Sequence, residues 1–405
     1  MNKKRLIFLI PLLIIVVVSL IFSGCTASVS EEEPIKIGVL LPLTGMQADL
    51  GQLMKEGLMA SFQVFLDNDG GKIAGRTVEL VIEDDATDPA VTGEKTRKLI
   101  ESDKVCMILG PLFPPCRVAA AEKCDAAQVP HIGFASHHKP IQESTEWAFG
   151  SATYSPTLTY CSGVDAYNRG YRTAVVSAPD IVAAYEYTGT AMQAFKDAGG
   201  TIVQEQWIPY GTVDYGPYLV KMQQADVAFV WHPGIEFKPF LTQYEEFGFI
   251  GKMPMMQAPF DDFLERDLPG LSTALAGTFG NMSYHSSIDN PVNKKFVEVF
   301  EGMYNVPPDT FSLHSGNAVY LAIGALKDAN GNTDGETLRQ AILNFEGEFP
   351  VGHVEMDPVE RCLTRDIFVG ECRIVDGKLV TVVTGTYSQV KPWFNIEDAD
   401  RSACK

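Results

Sequence analysis

The chain has 405 residues, 46% of them hydrophobic and 20% charged, so it is long enough for two or three domains with large cores. Its 51 acidic residues outnumber the 32 basic ones, which gives a formal net charge of −19. Proteins bind phosphate backbones through basic stripes, and because the sequence contains none, it argues against nucleic acid as a partner.

The first segment, residues 1–24, is predicted to be an export signal. Basic residues at positions 3–5 precede an almost wholly apolar run from Leu6 to Phe22, and a Ser-Gly-Cys tripeptide ending at Cys25 follows. This order predicts cleavage before Cys25 and lipidation of that cysteine, as at a bacterial lipobox whose usual leucine is replaced by phenylalanine. An uncleaved anchor helix is the alternative, and its 17 residues would be a short span. Either way, the domain is expected outside the cytoplasm, tethered to a membrane behind an acidic linker at residues 25–34.

From residue 35 onward, short apolar runs alternate with amphipathic stretches. The first series predicts strands at 35–42, 77–84, 105–110 and 129–136, and helices at 49–68, 88–102 and 115–128. A second series predicts helices at 157–168, 183–198, 215–224 and 237–247, and strands at 173–177, 201–207, 227–232, 254–258 and 277–284. Such alternation is typical of βαβ units with a parallel sheet covered by helices.

The last part of the chain breaks this alternation. Three helices in a row are predicted near 292–304, 310–329 and 335–345, before β-like segments at 351–356, 366–375 and 378–387. We therefore predict an α/β fold of two doubly wound parallel-sheet lobes, with a chain that crosses between them more than once. Two lobes joined by several crossing strands form a cleft that can close by hinge bending.

The stretch from Lys36 to Pro111 resembles the opening of the leucine/isoleucine/valine-binding protein family, the type I periplasmic binding proteins that serve ABC importers. The matching features are the first strand with "PLTG", the turn "GGKIAGR", the motif "EDDATDP" and a strand ending in "GP". They follow one another in the family's order over about 75 residues, and the likeness is weaker after Pro209. The resemblance implies three crossings, with residues 35–150 plus 285–348 in lobe 1 and 151–284 plus 349–405 in lobe 2.

The resemblance also implies a function. The chain is expected to be a substrate-binding lipoprotein that captures a small organic ligand between its lobes and delivers it to a membrane permease encoded elsewhere. The ligand is expected to be a branched-chain amino acid, or an aromatic or other carboxylate or an amide. No cofactor and no metal is expected. A ligand-sensing module of the same fold, coupled to a separate signalling partner, is the alternative.

Ligands of open α/β sheets lie beyond the carboxyl ends of the strands, and a helix that opens at Pro115 would aim free N–H groups at that edge. In the family, this loop and the turn after the next strand hold the ligand's carboxylate, and a tyrosine of the second lobe closes over the ligand. Carried onto this chain together with the nearby aromatic residues, the expected ligand-site residues are Leu50, Pro114, Pro115, Cys116, Ala135, Ser136, His137, Tyr154, Tyr185, Trp231 and Asp261.

Several of these positions depart from the family pattern. Pro114 stands where the family often has serine, and proline has no N–H to donate to a carboxylate. Leu50 replaces a common aromatic residue. The acidic partner of a ligand ammonium is out of register, so that Asp261 or Asp262 would serve only with a shift. These departures disfavour an α-amino acid and favour a flatter, more aromatic ligand, which Tyr154, Trp231 and His232 would suit.

The paired histidines in "ASHH" admit several interpretations. His137 is expected to donate a hydrogen bond to a ligand carboxylate, and a turn histidine that caps local backbone is the plainer alternative. A metal site would need three or four convergent ligands, which adjacent residues of an extended turn do not provide. An enzyme that uses Cys116 and His137 is a further alternative, because a thiolate in the first turn of a helix is stabilised.

Seven cysteines follow Cys25, and in an exported protein they can oxidise. Because seven is odd, at least one is expected to stay free or to pair between chains. Two pairs are candidates for disulfides, Cys106 with Cys124 and Cys362 with Cys372, although sequence alone cannot fix connectivity.

Overall fold

Two β-sheets flanked by helices make up the computed structural model, which describes residues 33–134, 139–262 and 268–394. The predicted export signal with Cys25, and the turn at 135–138 that holds Ala135, Ser136 and His137, lie outside the described residues. The predicted α/β fold with two parallel-sheet lobes is confirmed. In the part of the chain that the structure describes, no helix is both long and apolar enough to span a membrane.

The first sheet has six strands in the order β2-β3-β1-β4-β5-β6. The strands are β1 Ile35–Leu41, β2 Lys72–Ile73, β3 Arg76–Asp84, β4 Met107–Leu109, β5 His131–Gly133 and β6 Ala148–Gly150. Only β2 is antiparallel to its neighbour. Strands β4, β5 and β6 are buried throughout, which explains why they read as uninterrupted apolar runs rather than as an alternation.

Four helices follow strands of the first sheet: α1 Ala48–Asp69, α2 Pro89–Glu101, α3 Pro114–Ala127 and α4 Lys139–Ser144. Helix α2 begins as its sequence predicts, because the Asp88 side chain accepts hydrogen bonds from the backbone N–H groups of Ala90 and Val91. Helix α3 has no side-chain cap and opens with two prolines instead.

We call each sheet together with its flanking helices a layer. The second layer begins with helix α5 (Ser155–Asn168) and strand β7 (Thr173–Pro179). Helix α6 starts as Val182–Ala184, passes through a π-helical stretch at Tyr185–Gly189 and ends as Thr190–Ala198. The elements that follow are β8 Thr201–Ile208, α7 Gly216–Leu219, β9 Val227–Val230, α8 Phe237–Glu246, β10 Met255–Gln257 and β11 Phe279–Met282.

Three helices then return to the first layer: α9 Pro291–Tyr304, α10 Thr310–Asp328 and α11 Gly335–Leu343. Helices α1 and α10 pack against each other at very short range. An added Cβ at Gly57 would overlap the backbone carbonyl of Ser312, so the helices can approach this closely only with glycine there. The Ser315 hydroxyl crosses the same interface and donates to the carbonyl oxygen of Met54 at 2.6 Å.

The chain ends in β12 Glu346–Phe349, β13 Gly352–Met356, β14 Leu363–Val375 and β15 Lys378–Val390. They complete the second sheet, whose order is β12-β13-β14-β11-β10-β9-β7-β8, with β15 paired to β14. The chain therefore passes between the two layers after β6, after β11 and after α11. The residue boundaries of the lobes that the resemblance implies stay a prediction.

The helix predicted at 215–224 is wrong in length, because only Gly216–Leu219 is α-helical. A side chain of the neighbouring strand explains the early end. The Gln204 amide donates to the carbonyl oxygen of Lys221 at 3.0 Å, and its oxygen accepts from the backbone N–H of Gln223 at 2.8 Å. These backbone groups would otherwise extend the helix.

Both predicted disulfides are wrong, because Cys106, Cys116, Cys124, Cys362 and Cys372 are buried free thiols. Cys362 directly precedes β14 and Cys372 lies in its second half, and ten residues of strand span about 33 Å, whereas a disulfide needs Cα atoms within about 7 Å. Cys106 and Cys124 pack in two different apolar clusters. Cys161 is disulfide-bonded to a partner outside the described residues.

Candidate functional site

The candidate site lies where the carboxyl ends of the parallel strands meet, the edge at which open α/β sheets bind ligands. On the first sheet, this edge carries the loops after β1, β4 and β5. The Asp84 carboxylate organises the first loop by accepting hydrogen bonds from the backbone of Leu43 and from the Thr44 hydroxyl at 3.0 and 2.7 Å. The carboxylate of Asp84 thus acts within this turn.

Arg117, in the first turns of α3, brings a positive charge to this edge. Its side chain is 4% exposed, passes over Gly133 and donates from Nη1 to the carbonyl oxygen of Phe134 at 3.1 Å. A Cβ at Gly133 would stand 3.1 Å from Arg117 Cδ, so the missing side chain makes room for the arginine. The guanidinium thus lies at the end of β5, directly before the turn at 135–138.

The second layer faces this cation with Glu186 and Tyr187, both of which lie within electrostatic range of Arg117. Burial lowers the pKa of the Arg117 guanidinium to about 10, so it stays charged at neutral pH. Burial raises the pKa of Glu186, and the Arg117 charge acts in the opposite direction. The two layers therefore bring one buried cation and one carboxyl group to the same place.

An aromatic wall adjoins this charged pair. The rings of Tyr187 and Trp231 have centroids 4.9 Å apart, and Trp231 is 8% exposed at the end of β9. Aromatic ring faces suit a flat aromatic ligand better than an aliphatic one.

The start of α3 offers little else to an anion. The sequence predicts free N–H groups there, but Pro114 and Pro115 have none, and the N–H of Arg117 donates to the carbonyl oxygen of Phe113 at 3.0 Å. Both prolines are exposed at the edge of the sheet. The charge that a helix N-terminus usually supplies comes here from the Arg117 side chain.

Two buried histidines flank the cation. Burial lowers the pKa of His131 to about 4 and that of His314 to about 3, and Arg117 acts in the same direction on both. Both imidazoles are therefore neutral at pH 7. His131 Nε2 bonds the carbonyl oxygen of Gly110 and must donate, which leaves Nδ1 as an acceptor with no partner among the described residues. His314 Nδ1 likewise has no described partner.

Three expected site residues lie away from Arg117 or are engaged elsewhere. Leu50 belongs to the first turn of α1 and is half-buried. The Tyr154 hydroxyl donates to the carbonyl oxygen of Glu360 at 3.2 Å, in the loop between β13 and β14. Tyr185 is 46% exposed, stacks on Trp207 at 4.1 Å and donates to Asp180 at 2.8 Å. Their roles as ligand contacts stay predictions.

Asp261 follows β10 and is almost fully buried. Its carboxylate accepts hydrogen bonds from the Ser283 backbone and hydroxyl at 2.8 and 2.9 Å and from the Thr310 hydroxyl at 3.2 Å. Burial raises its pKa, and the Arg365 guanidinium opposes this. These contacts fasten the second crossing of the chain, and contact with a ligand ammonium stays a prediction.

Cys116 lies at the sheet edge as predicted, but its surroundings do not stabilise a thiolate. The side chain is fully buried, and burial raises the pKa of its thiol to about 11 against the opposing effect of a hydrogen bond with Thr92. The expected stabilisation by the helix N-terminus is wrong, because loss of water around the sulfur outweighs it.

We expect Cys116 to react with iodoacetamide at pH 7.5 roughly 100-fold or more slowly than a free cysteine, because it is buried and almost wholly protonated. Peptide mass spectrometry after timed labelling measures this rate, and the urea-unfolded protein serves as the control in which Cys116 should react normally. Labelling faster than free cysteine would instead support the nucleophile that the enzyme alternative needs.

Another cavity, of about 280 Å³, lies between α1, α10 and β12. Its lining includes Phe65, Tyr320, Phe345 and Phe349, and none of the predicted site residues nor Arg117 contributes to it. It is therefore distinct from the candidate site at the strand ends.

The sequence interpretation missed Arg117 and Tyr187. A cation in the first turns of a helix opposes the macrodipole, and this one stands before the apolar run "VAAA". That unfavourable placement was the available signal for a functional arginine. Tyr187 had no such signal, because the π-helical stretch at Tyr185–Gly189 changes the helical repeat and with it the direction of each side chain.

Comparison with known proteins agrees with this geometry. A family model described as "Periplasmic binding protein" matches residues 34–378. A protein of Brucella melitensis biotype 1, "Leu/Ile/Val-binding protein homolog 6", is 26% identical over 357 residues, covering 86% of this chain and 90% of the relative.

Two solved structures are similar over nearly their whole length. The solute binding protein of an ABC transporter from Rhodopseudomonas palustris BisB5, in complex with 3,4-dihydroxy benzoic acid, is 26% identical with a TM-score of 0.78, covering 89% of this chain and 99% of the other. A solute binding protein of an ABC transporter from R. palustris, in complex with 4-hydroxybenzoate, is 25% identical with a TM-score of 0.80, covering 91% of this chain and 100% of the other.

The match of the family model extends over most of the chain, and the two sheets, the repeated crossings and the polar edge between the layers agree with it. The chain belongs to the periplasmic binding protein family.

Proposed function

We propose that the protein is an extracytoplasmic solute-binding protein of an ABC importer and that its ligand is a small aromatic carboxylate. Arg117 carries this proposal. It is a buried guanidinium at the ligand edge, and a carboxylate matches its planar fork of donors.

The chemistry around Arg117 supports the aromatic part. Tyr187 and Trp231 offer ring faces beside the cation. The acceptor nitrogen of His131 and the neighbouring His314 suit a phenolic hydroxyl. The ligands bound in both solved relatives carry such a hydroxyl group. Glu186 disfavours a second carboxylate and would hold the alternative ligand, an amino acid, by its ammonium.

Capture by closure follows from the placement of these groups. Arg117 belongs to the first layer, and Glu186, Tyr187 and Trp231 to the second. A ligand that contacts both layers binds the closed form more tightly than the open form, and this difference in affinity drives closure. The closed form is then the one that a membrane permease would recognise. The tether, a lipid on Cys25, rests on the sequence of the export signal and is part of the proposal.

Isothermal titration of the purified protein with a matched panel tests the proposal. The panel holds benzoate, 4-hydroxybenzoate, 3,4-dihydroxybenzoate, L-leucine and L-isoleucine, with 4-hydroxybenzamide as the control that keeps the ring and removes the carboxylate. We expect the hydroxybenzoates to bind and the amide to bind at least about 100-fold more weakly, since Arg117 would lose its charged partner. Tighter binding of leucine or isoleucine than of any benzoate would contradict the proposed ligand class.

A further inference from the structure

The hairpin of β12 and β13 presents three carboxylates and one imidazole on a single face. The antiparallel register places Glu346 opposite Glu355 and Glu348 opposite His353. Because side chains alternate between the faces of a strand, residues 346, 348, 353 and 355 all project from the same face. This face is at least partly open to solvent, since the His353 side chain is 34% exposed.

The imidazole lies at the centre of the group. His353 Nε2 is 3.5 Å from a carboxylate oxygen of Glu346 and 3.4 Å from one of Glu355. One ligand atom each from Glu346, His353 and Glu355 lie within 4.8 Å of one another. Donor atoms around a tetrahedral metal ion at about 2.1 Å stand roughly 3.4 Å apart, so the two nitrogen–oxygen distances already match such a site.

Glu348 completes the arrangement from the other side of the ring. Its carboxylate oxygen is 3.0 Å from His353 Nδ1. A carboxylate that accepts a hydrogen bond from one ring nitrogen fixes the tautomer, makes the other nitrogen more basic and orients it as a metal ligand. Glu348 therefore holds the Nε2 lone pair toward Glu346 and Glu355.

The group is short of positive charge. Within the described residues, the ion pairs of Glu346, Glu348 and Glu355 all go to His353, and none goes to a lysine or arginine. Like charges directly opposite each other on paired strands, as in Glu346 and Glu355, are destabilising. A divalent cation would relieve the repulsion better than a single proton.

We propose that the β12–β13 hairpin is a binding site for a divalent transition-metal ion, with Glu346, Glu355 and His353 Nε2 as ligands and Glu348 as the positioning residue. A set of one imidazole and two carboxylates suits Zn²⁺, and water from the open side would fill the fourth position. The site is separate from the edge around Arg117, and the hairpin follows the third passage of the chain between the layers. A bound ion would fasten the two strands of this hairpin to each other.

Titration of the untagged, purified protein with Zn²⁺ in competition with a chelator tests the site. We expect one ion per chain with micromolar affinity at pH 7.5 and at least a 100-fold loss in His353→Ala, which removes a ligand. Glu348→Gln should weaken binding about 10-fold. Because an imidazole must lose its proton to bind metal, affinity should fall at acid pH. In Glu348→Gln this fall should move to lower pH, a shift that a merely structural role would not produce.

Glu298→Gln serves as the matched control, since Glu298 is an exposed glutamate on α9 whose ion pair is with Lys295. We expect it to bind Zn²⁺ as the wild type does, and thermal unfolding without metal should show that every variant is folded. No measurable Zn²⁺ binding by the wild type, or equal binding by His353→Ala, would overturn the site. The hydroxybenzoate titration is independent of either result, because it reports on Arg117.

Discussion

Replacing Arg117 by methionine is expected to weaken the binding of 4-hydroxybenzoate about 100-fold, a loss of about 3 kcal/mol. Methionine has a similar length but no charge, so the ligand's carboxylate would lie buried and unpaired beside Glu186. The protein should remain folded, since Glu186, whose pKa burial already raises, can take up a proton once the neighbouring cation is gone. Isothermal titration measures the affinity, and urea unfolding measures the stability.

Arg97→Met makes the same chemical change on the exposed face of α2 and is expected to leave the affinity unchanged. If Arg117→Met still binds 4-hydroxybenzoate as tightly as the wild type, the carboxylate does not lie at Arg117. The proposed ligand chemistry would then be wrong, even if the protein binds another solute.

The second large effect is expected on stability. Gly57→Ala should lower the free energy of unfolding by about 3 kcal/mol, because the new Cβ would overlap the backbone carbonyl of Ser312 on α10. Neither helix can move away at a low cost in free energy, since both are packed against the first sheet and the hydrogen bond from Ser315 to Met54 crosses the same interface. Urea unfolding followed by circular dichroism measures the change.

Gly302→Ala is the matched control. Gly302 is exposed within α9, and an added Cβ would meet no atom within 4 Å. Alanine is the better helix former by up to about 1 kcal/mol, so this substitution should stabilise the protein slightly. Equal stability of Gly57→Ala and the wild type would mean that α1 and α10 can move apart at little cost.

The order of strands and helices could be predicted from the sequence because local residue patterns determine it. The short apolar runs at β4 and β5 and the amphipathic stretch at α1 are visible in the sequence itself, and Asp88 marks the start of α2 by its capping chemistry. The end of α7 could not be predicted in this way. It is set by Gln204, a residue of another strand, and no local pattern reports which side chain will reach the backbone from elsewhere.

The location of the candidate site could be predicted from the sequence, but only some of its residues could. The alternation of strands and helices in the sequence predicts the topology of the sheet. That topology places the strand ends and the loop before α3 at one edge. Arg117 and Glu186 meet because two layers approach each other, and the sequence separation between them gives no hint of that contact. The protonation of Cys116 depends on how completely the fold removes water from its sulfur, which the residue type alone does not reveal.

The return of α10 to the first layer also constrains when the protein can fold. The last strand of the first sheet ends at Gly150, but the helix that covers α1 begins at Thr310. At a synthesis rate of about 5–20 residues per second, the ribosome needs roughly 8–30 s to make the chain between these two points. During that time the part of α1 that packs against α10 has no partner, and contacts between residues as distant as Met54 and Ser315 slow folding further. The first layer can therefore be completed only after most of the chain has been synthesised, long after its own last strand has been made.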